Sequence, residues 1–107
     1  MTKTNKITPW GIVYYYNQEE FSFTLHFYDD DPITAYLANV KVAEEHRRKG
    51  FGNKILKLAN KEAKELGAKN IMLQVERKEW MHDWYARHDY HDNYRSNSKT
   101  VWMTHAI

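Results

Sequence analysis

The chain has 107 residues, of which 42% are hydrophobic, 15% aromatic and 28% charged, and this composition predicts a folded core rather than disorder. The formal net charge of +2 is too small to indicate nucleic-acid binding by itself. Cysteine is absent, which excludes disulfides, thiolate zinc sites and a cysteine nucleophile. One domain over residues 1–107 is expected. Without a membrane-length apolar run or a signal-peptide core, a cytoplasmic location is expected.

Three strands are predicted in the first part of the chain. Residues 11–16 and 20–28 are rich in aromatic and β-branched side chains, and the short connection 17–19 predicts a hairpin between them. Apolar side chains alternate with polar ones in the second strand, so one face is expected to be buried by Phe21, Phe23, Leu25 and Phe27. A turn at 29–32 leads to a third strand over 33–42, which completes an antiparallel trio.

A helix is predicted over residues 50–66. Apolar side chains recur there at helical spacing, and Gly67 follows as a C-terminal glycine should. The next apolar run, 71–75, predicts a short buried strand. Because strand–helix–strand crossovers are right-handed, the strands 33–42 and 71–75 are expected to lie parallel.

The last part of the chain predicts a second helix over 78–88, with Trp80, Met81, Trp84 and Tyr85 on its apolar side. Residues 90–94 and 99–106 then predict a closing hairpin around 96–98. The predicted fold is therefore a mixed α/β sheet. It comprises an antiparallel strand trio, a strand–helix–strand crossover, a second helix and a closing hairpin.

Two glycines stand where the third strand passes into the first helix. Gly50 and Gly52 let the backbone approach a ligand closely, and three cations precede them: Arg47, Arg48 and Lys49. The first turn of a helix has free N–H groups and about half a positive charge from the helix dipole. A phosphate-bearing ligand is therefore expected. The nucleotide P-loop pattern is absent, and Ile55 stands where a dinucleotide fingerprint needs its third glycine.

The pattern Arg47-x-x-Gly50-x-Gly52, five residues after Val42, resembles the acetyl-CoA signature of the GNAT superfamily of N-acetyltransferases. The order of the predicted elements is similar to the catalytic half of a GNAT domain. This resemblance implies acetyl-CoA as co-substrate and transfer of its acetyl group to a primary amine by direct attack. The cofactor-binding residues predicted on this basis are Val40, Val42, Arg47, Arg48, Lys49, Gly50, Phe51, Gly52 and Asn53.

A second resemblance lies downstream, in Trp84-Tyr85-Ala86-Arg87-His88-Asp89-Tyr90. It is similar to the family's Phe-Tyr-Glu-Lys-Leu-Gly-Phe stretch, although Asp89 stands where a glycine is usual. The resemblance implies that Tyr85 is the general acid for the departing CoA thiolate. It also implies that the backbone N–H of Val40 polarises the thioester carbonyl.

Two departures from the family pattern leave the base and the acceptor open. In the family a glutamate is common on the strand corresponding to 71–75, but here Gln74 stands in its place, and glutamine cannot act as a base. Glu76 and His82 are therefore the candidates for the general base on chemical grounds. The family's pair of helices between its first two strands has no room here, which removes one wall of the acceptor site. A primary amine on a protein or peptide is therefore the predicted acceptor, and a second subunit in a homodimer could supply the missing wall.

Other functions stay open at this point. One alternative is a non-catalytic CoA-binding module, which would have the same glycine turn but would not transfer the acetyl group. A small nucleic-acid-binding protein would use the cations at 47–49, but no aromatic and basic strand face accompanies them. The histidines and aspartates between 82 and 92 do not repeat a ligand spacing, so no metal site is predicted.

Overall fold

The computed structural model describes residues 1–76, 80–93, 96 and 100–107, without the side chains of Glu76 and Trp80. Its elements, in chain order, are β1 (Thr2–Thr8), β2 (Gly11–Asn17), β3 (Phe21–Tyr28), β4 (Asp31–Val42), a short 3-10 helix (Glu44–His46), α1 (Phe51–Glu65), β5 (Asn70–Glu76), α2 (Trp80–Ala86), β6 (His91–Asp92) and β7 (Thr100–Ala106). Within these residues the strands form one sheet in the order β1-β2-β3-β4-β5-β7-β6. The predicted mixed sheet is confirmed.

Strand β1 was not predicted, and it corrects the antiparallel trio to four antiparallel strands. All of its residues except Thr8 are exposed, so its sequence has no alternating apolar face. Pairing with β2 along its whole length holds it at the edge of the sheet. Lys3 also forms an ion pair with Glu62 of α1, whose side chain is buried. The strand therefore depends on backbone pairing and one charge contact, neither of which leaves a periodic signal.

The predicted hairpin between β2 and β3 and the alternation along β3 are confirmed. Phe21, Phe23 and Leu25 are buried in the main core, which also contains the apolar face of α1. Thr24, on the opposite side of the strand, is buried as well. The turn before β4 is shorter than predicted, because Asp31 already pairs with Tyr28 in the sheet.

The crossover between β4 and β5 is also confirmed. Helix α1 lies within one residue of its predicted limits, and Gly67 follows it with a left-handed φ of 94°. The N–H groups of Gly67 and Ala68 bond to the carbonyls of Lys64 and Ala63, which is the Schellman arrangement for ending a helix. Strand β5 then runs parallel to β4.

Parallel pairing of β4 with β5 extends only from Thr34↔Asn70 to Tyr36↔Met72, although both strands continue. Beyond these pairs β4 contains an extra residue relative to β3. The register steps from Thr24↔Ala38 to Ser22↔Lys41, so three residues of β4 oppose two of β3. Such a bulge bends the strand that contains it. The far halves of β4 and β5 therefore separate.

Side chains fix this bulge in place. Asn39, at the extra position, has a left-handed φ of 54°, which asparagine tolerates better than most residues. The Thr24 hydroxyl donates to the carbonyl of Ala38 at 3.1 Å and accepts from Asn39 Nδ2 at 3.1 Å. Since that hydroxyl proton is used, His26 donates from Nε2 to Thr24 at 3.0 Å.

Helix α2 is shorter than the predicted 78–88, and residues 77–79 lie outside the described part of the chain. The N–H groups of Asp89 and Tyr90 bond to the carbonyls of Ala86 and Tyr85, a second Schellman arrangement. Asp89 takes the left-handed conformation with φ 68° where a glycine is usual. After this turn β6 pairs with β7, confirming the closing hairpin, although its residues 94–95 and 97–99 lie outside the described part.

The two faces of the sheet differ. Both described helices pack on one face, because the main core joins side chains of α1 and α2 to alternate residues of β2, β3, β4, β5 and β7. The other alternate residues point to the opposite side. We call this second surface the open face and define it by Tyr15, His26, Tyr28, Tyr36, Met72 and Trp102. No helix among the described residues is long and apolar enough to span a membrane.

Candidate active site

A cavity of about 940 Å³ lies beside the end of β4, a volume at the upper end of the usual range for small-molecule sites. The hairpin at 17–19, the end of β4, the connection to α1, the first turns of α1, and α2 all contribute to its walls. Nine of the predicted site residues line it: Val40, Val42, Arg47, Arg48, Gly50, Phe51, Gly52, Asn53 and Tyr85. Lys49 and His82 do not line it.

The first turn of α1 presents unpaired N–H groups to this cavity. Gly50 is the N-cap in a left-handed conformation with φ 81°, and no side chain caps the helix. The first backbone bond of the helix joins Lys54 N to Gly50 O at 3.4 Å, which leaves the N–H groups of Phe51, Gly52 and Asn53 without an intrahelical acceptor. The first turn also contains no acidic residue. This helix end therefore suits an anion.

Three cations surround the same helix end. Arg47 Nε donates to the carbonyl of Val42 at 3.2 Å, which folds the connection back onto the end of β4. Arg48 has a left-handed φ of 64° and lines the cavity, whereas the neighbouring Lys49 lies outside the lining. In the described parts of the chain none of these three side chains forms an ion pair with a carboxylate. Their charge is not neutralised there by a protein acid.

Helix α2 is joined to the first turn of α1 by an aromatic contact that sequence reasoning missed. A Cβ atom on Gly52 would lie 3.0 Å from Cζ2 of Trp84. The ring centroid of Trp84 is 4.3 Å from that of His88. His88 Nδ1 donates to the Trp84 carbonyl at 2.7 Å, and its Nε2 is hydrogen-bonded to Asn53. The missing side chain of Gly52 therefore makes room for Trp84 as well as for a ligand.

Tyr85 lies one residue further along α2 and reaches the cavity from inside the core. It is 5% exposed and packs between the rings of Trp84 and Tyr90, at centroid distances of 5.0 and 5.5 Å. Burial raises the pKa of the Tyr85 phenol above its usual value. The phenol therefore retains its proton at neutral pH and has a proton to donate.

The structure describes the side chain of only one of the two candidate bases, His82. His82 is hydrogen-bonded to Asp92 at 2.8 Å and lies 3.6 Å from Asp83. Asp92 chiefly, with Asp83, raises the pKa of His82, which favours the protonated ring that cannot accept a proton. The backbone of Glu76 ends β5, but its side chain lies outside the described atoms. Both assignments stay predictions. No group of three His, Cys, Asp or Glu side chains arranged to hold a metal occurs among the described residues.

We expect the Gly52–Trp84 contact to give a measurable coupling. Gly52→Ala forces the indole to move, whereas in a Trp84→Phe background the smaller ring leaves room for the new methyl group. A double-mutant cycle in urea should therefore give a coupling free energy of about 1 kcal/mol or more. Gly50→Ala is the control: it has no atom within 4 Å and should lose about 1–2 kcal/mol from its left-handed conformation alone, equally in both backgrounds. A coupling near zero for Gly52 would contradict the contact.

Comparison with known proteins identifies the family. The model of the acetyltransferase (GNAT) family matches residues 9–90, whereas no curated protein sequence gives a significant match. The fold is similar to a GNAT family acetyltransferase from Elizabethkingia anophelis with acetyl-CoA bound (TM-score 0.70, 19% identity, 90% of this chain and 76% of that one). It is also similar to an IAA acetyltransferase from Bacillus cereus (TM-score 0.70, 17% identity, 90% of this chain and 77% of that one). A third similar structure is PaiA N-acetyltransferase from Thermoplasma acidophilum in complex with coenzyme A (TM-score 0.70, 16% identity, 89% of this chain and 60% of that one). The chain belongs to the GNAT acetyltransferase family.

Proposed function

We propose that the chain is an acetyl-CoA-dependent N-acetyltransferase that acts on a primary amine of a protein or peptide. The observation that supports this most strongly is the uncapped, acid-free start of α1 at the edge of a 940 Å³ cavity. Its free N–H groups suit the pyrophosphate of CoA. Two structural neighbours of the same fold, a GNAT family acetyltransferase and PaiA N-acetyltransferase, hold acetyl-CoA and coenzyme A respectively.

The proposed chemistry uses groups on opposite walls of the cavity. The amine nitrogen bonds to the thioester carbonyl carbon, the backbone N–H of Val40 stabilises the developing oxyanion, and the C–S bond breaks. The Tyr85 phenol gives its proton to the departing sulfur and regains one from the acetylated nitrogen through solvent. The products are an amide and a free thiol. Val40 follows the bulge at Asn39, where the regular pairing of β4 is interrupted.

The two adjacent cations Arg48 and Lys49 provide a matched test of the cofactor site. Arg48 lines the cavity and Lys49 does not, so Arg48→Gln should weaken acetyl-CoA binding by about tenfold or more, the usual value of a hydrogen bond to a charged group. Lys49→Gln removes the same charge and should weaken binding less than about threefold, because it acts only through the long-range field. Isothermal titration calorimetry measures both affinities.

A thermal scan checks the same site without a variant. Acetyl-CoA at 100 times its dissociation constant should stabilise the folded chain by about 2.7 kcal/mol. The assignment of the glycine turn is wrong if acetyl-CoA does not raise the melting temperature, or if Arg48→Gln and Lys49→Gln bind it as tightly as the parent.

Tyr85→Phe tests the general acid. The change removes only the hydroxyl, so acetyl-CoA affinity should stay constant while the single-turnover rate of acetyl transfer falls about 100-fold. Tyr90→Phe is the control, because Tyr90 is a buried residue like Tyr85 but does not line the cavity, and its hydroxyl has no hydrogen-bond partner among the described residues. That variant should keep the parent rate and stability.

An unchanged single-turnover rate in Tyr85→Phe would remove Tyr85 from the chemistry. A parent chain that binds acetyl-CoA but acetylates no amine would instead support the alternative of a non-catalytic CoA-binding module.

The size of the acceptor follows from what borders the cavity. Strands β1 and β2 are joined by the two residues Pro9 and Trp10 alone, so no helix from this connection borders the acceptor side. A small amine gains its affinity from enclosure on all sides. A protein or peptide can instead be positioned by contacts remote from its reacting amine.

A substrate panel distinguishes these two classes of acceptor. We expect kcat/KM for lysine-containing proteins and peptides with free N-termini to exceed that for polyamines and free amino acids by about tenfold or more. Acetylation is followed by thiol release for every member of the panel and by mass spectrometry of the protein products. A free small amine that reacts faster than every protein would overturn the assignment of the acceptor while leaving the cofactor site unaffected.

A further inference from the structure

The ring of His88, in the turn after α2, is hydrogen-bonded to both helices. Its Nδ1 donates to the carbonyl of Trp84 in α2 at 2.7 Å. The backbone N–H of His88 bonds to the carbonyl of Tyr85 instead, so the ring supplies a donor for a carbonyl at the end of the helix. Because a carbonyl can only accept, this bond fixes the proton on Nδ1 and directs Nε2 away from α2. Nε2 is hydrogen-bonded to Oδ1 of Asn53 in α1, 35 residues earlier in the chain.

Asn53 belongs to the part of α1 that suits an anion. It is the third residue of the helix, it lines the cavity, and its N–H has no intrahelical acceptor. Asparagine side chains compete for nearby backbone N–H groups, because their oxygen lies close to the chain. Here no side chain caps the helix, and Oδ1 of Asn53 is bonded to His88 instead. The N–H groups of the first turn therefore stay available for a ligand.

The same ring supports the wall of the cavity that α2 provides. Its centroid is 4.3 Å from that of Trp84, and the ring of Trp84 is 5.0 Å from that of Tyr85. Trp84 and Tyr85 line the cavity, whereas His88 does not, so His88 acts on this wall from behind. Helix α2 has seven residues, and a helix this short has little stability of its own. Its position therefore depends on contacts with its neighbours.

Given the proposed role of Tyr85 as the general acid, on which this inference rests, we propose that His88 is a positioning residue. It holds α2 against the first turn of α1 and thereby sets the place of the Tyr85 phenol relative to the bound cofactor. The two ends of one cofactor then contact the two helices that His88 joins, the pyrophosphate at α1 and the thioester sulfur at α2. A proton donor acts only within hydrogen-bond reach, and a displacement of about 1 Å can lower a rate about 100-fold. Loss of the link should therefore slow the transfer without emptying the cofactor site.

Two conservative variants separate the two hydrogen bonds of the ring. The amide nitrogen of His88→Gln can take the place of Nε2, whereas that of the shorter His88→Asn can take the place of Nδ1. At saturating acetyl-CoA, the single-turnover rate of acetyl transfer should fall about tenfold or more in His88→Ala and His88→Asn and stay within about threefold of the parent in His88→Gln. Asn53→Ala should cause the same loss as His88→Ala, and the double variant should lose no more, because the two side chains act as a pair.

His91→Ala is the matched control. His91 is exposed on β6, and its side chain has no hydrogen bond or ion pair within the described part of the chain, so this variant should keep the parent rate. In a Tyr85→Phe background, His88→Ala should cause no further fall, because His88 acts through the phenol. An equal fractional loss in both backgrounds, or a loss in His88→Gln as large as in His88→Asn, would overturn the positioning role.

Amide hydrogen exchange tests the link without using activity. Acetyl-CoA should slow exchange in the last turn of α2 about tenfold or more in the parent and His88→Gln, but less than about threefold in His88→Ala and Asn53→Ala. Equal slowing in all four proteins would overturn the link even if Tyr85 is the general acid. An unchanged rate in Tyr85→Phe, with exchange as expected, would instead overturn the general acid and support the link. A parent that does not bind acetyl-CoA would overturn the cofactor site and this proposal together.

Discussion

The separation of β4 from β5 is the constraint on which the rest of this structure depends. The two strands pair in parallel over three residues and then diverge, because the bulge at Asn39 bends β4 and Thr24 holds the bulge by two hydrogen bonds. The cavity borders the bent end of β4, and its other walls come from the hairpin at 17–19, the connection to α1, the first turns of α1 and α2. A single extra residue in β4 therefore sets the direction of one wall of the site.

Helix α1 combines a structural and a ligand-binding requirement in one element. Its apolar face, with Ile55 and Ala59 fully buried, joins the core. Its N-terminus lacks the serine, threonine, aspartate or asparagine cap that usually adds about 1 kcal/mol of stability. Gly50 occupies that position instead, and the N–H groups of the first turn stay available. The site thus uses donors that a helix optimised only for stability would satisfy internally, and the buried face of the same helix supplies the stability that the cap does not.

Periodic patterns in the sequence were sufficient to predict the elements that bury an apolar face of their own: β2 to β5, β7 and both helices. They could not predict β1, whose exposed residues are ordered by pairing with a neighbour and by the contact of Lys3 with Glu62. The glycine turn at the start of α1 was predictable because its signal is local, two glycines after three cations. The contact of Trp84 with Gly52 and the pairing of His82 with Asp92 join separate elements, so only the folded arrangement reveals them.

The connection between β1 and β2 has a consequence for how this scaffold can change. Its two residues form a tight exposed turn in which Trp10 is 71% exposed. The entropic cost of a longer connection rises slowly, by about 0.6 kcal/mol for each doubling of its length. An inserted segment at Pro9 and Trp10 would leave the pairing of the sheet unchanged, and it would emerge at the edge of the sheet, where β1 and β2 pair. This turn is therefore a grafting point, where new recognition modules can be added without altering the residues that surround the glycine turn.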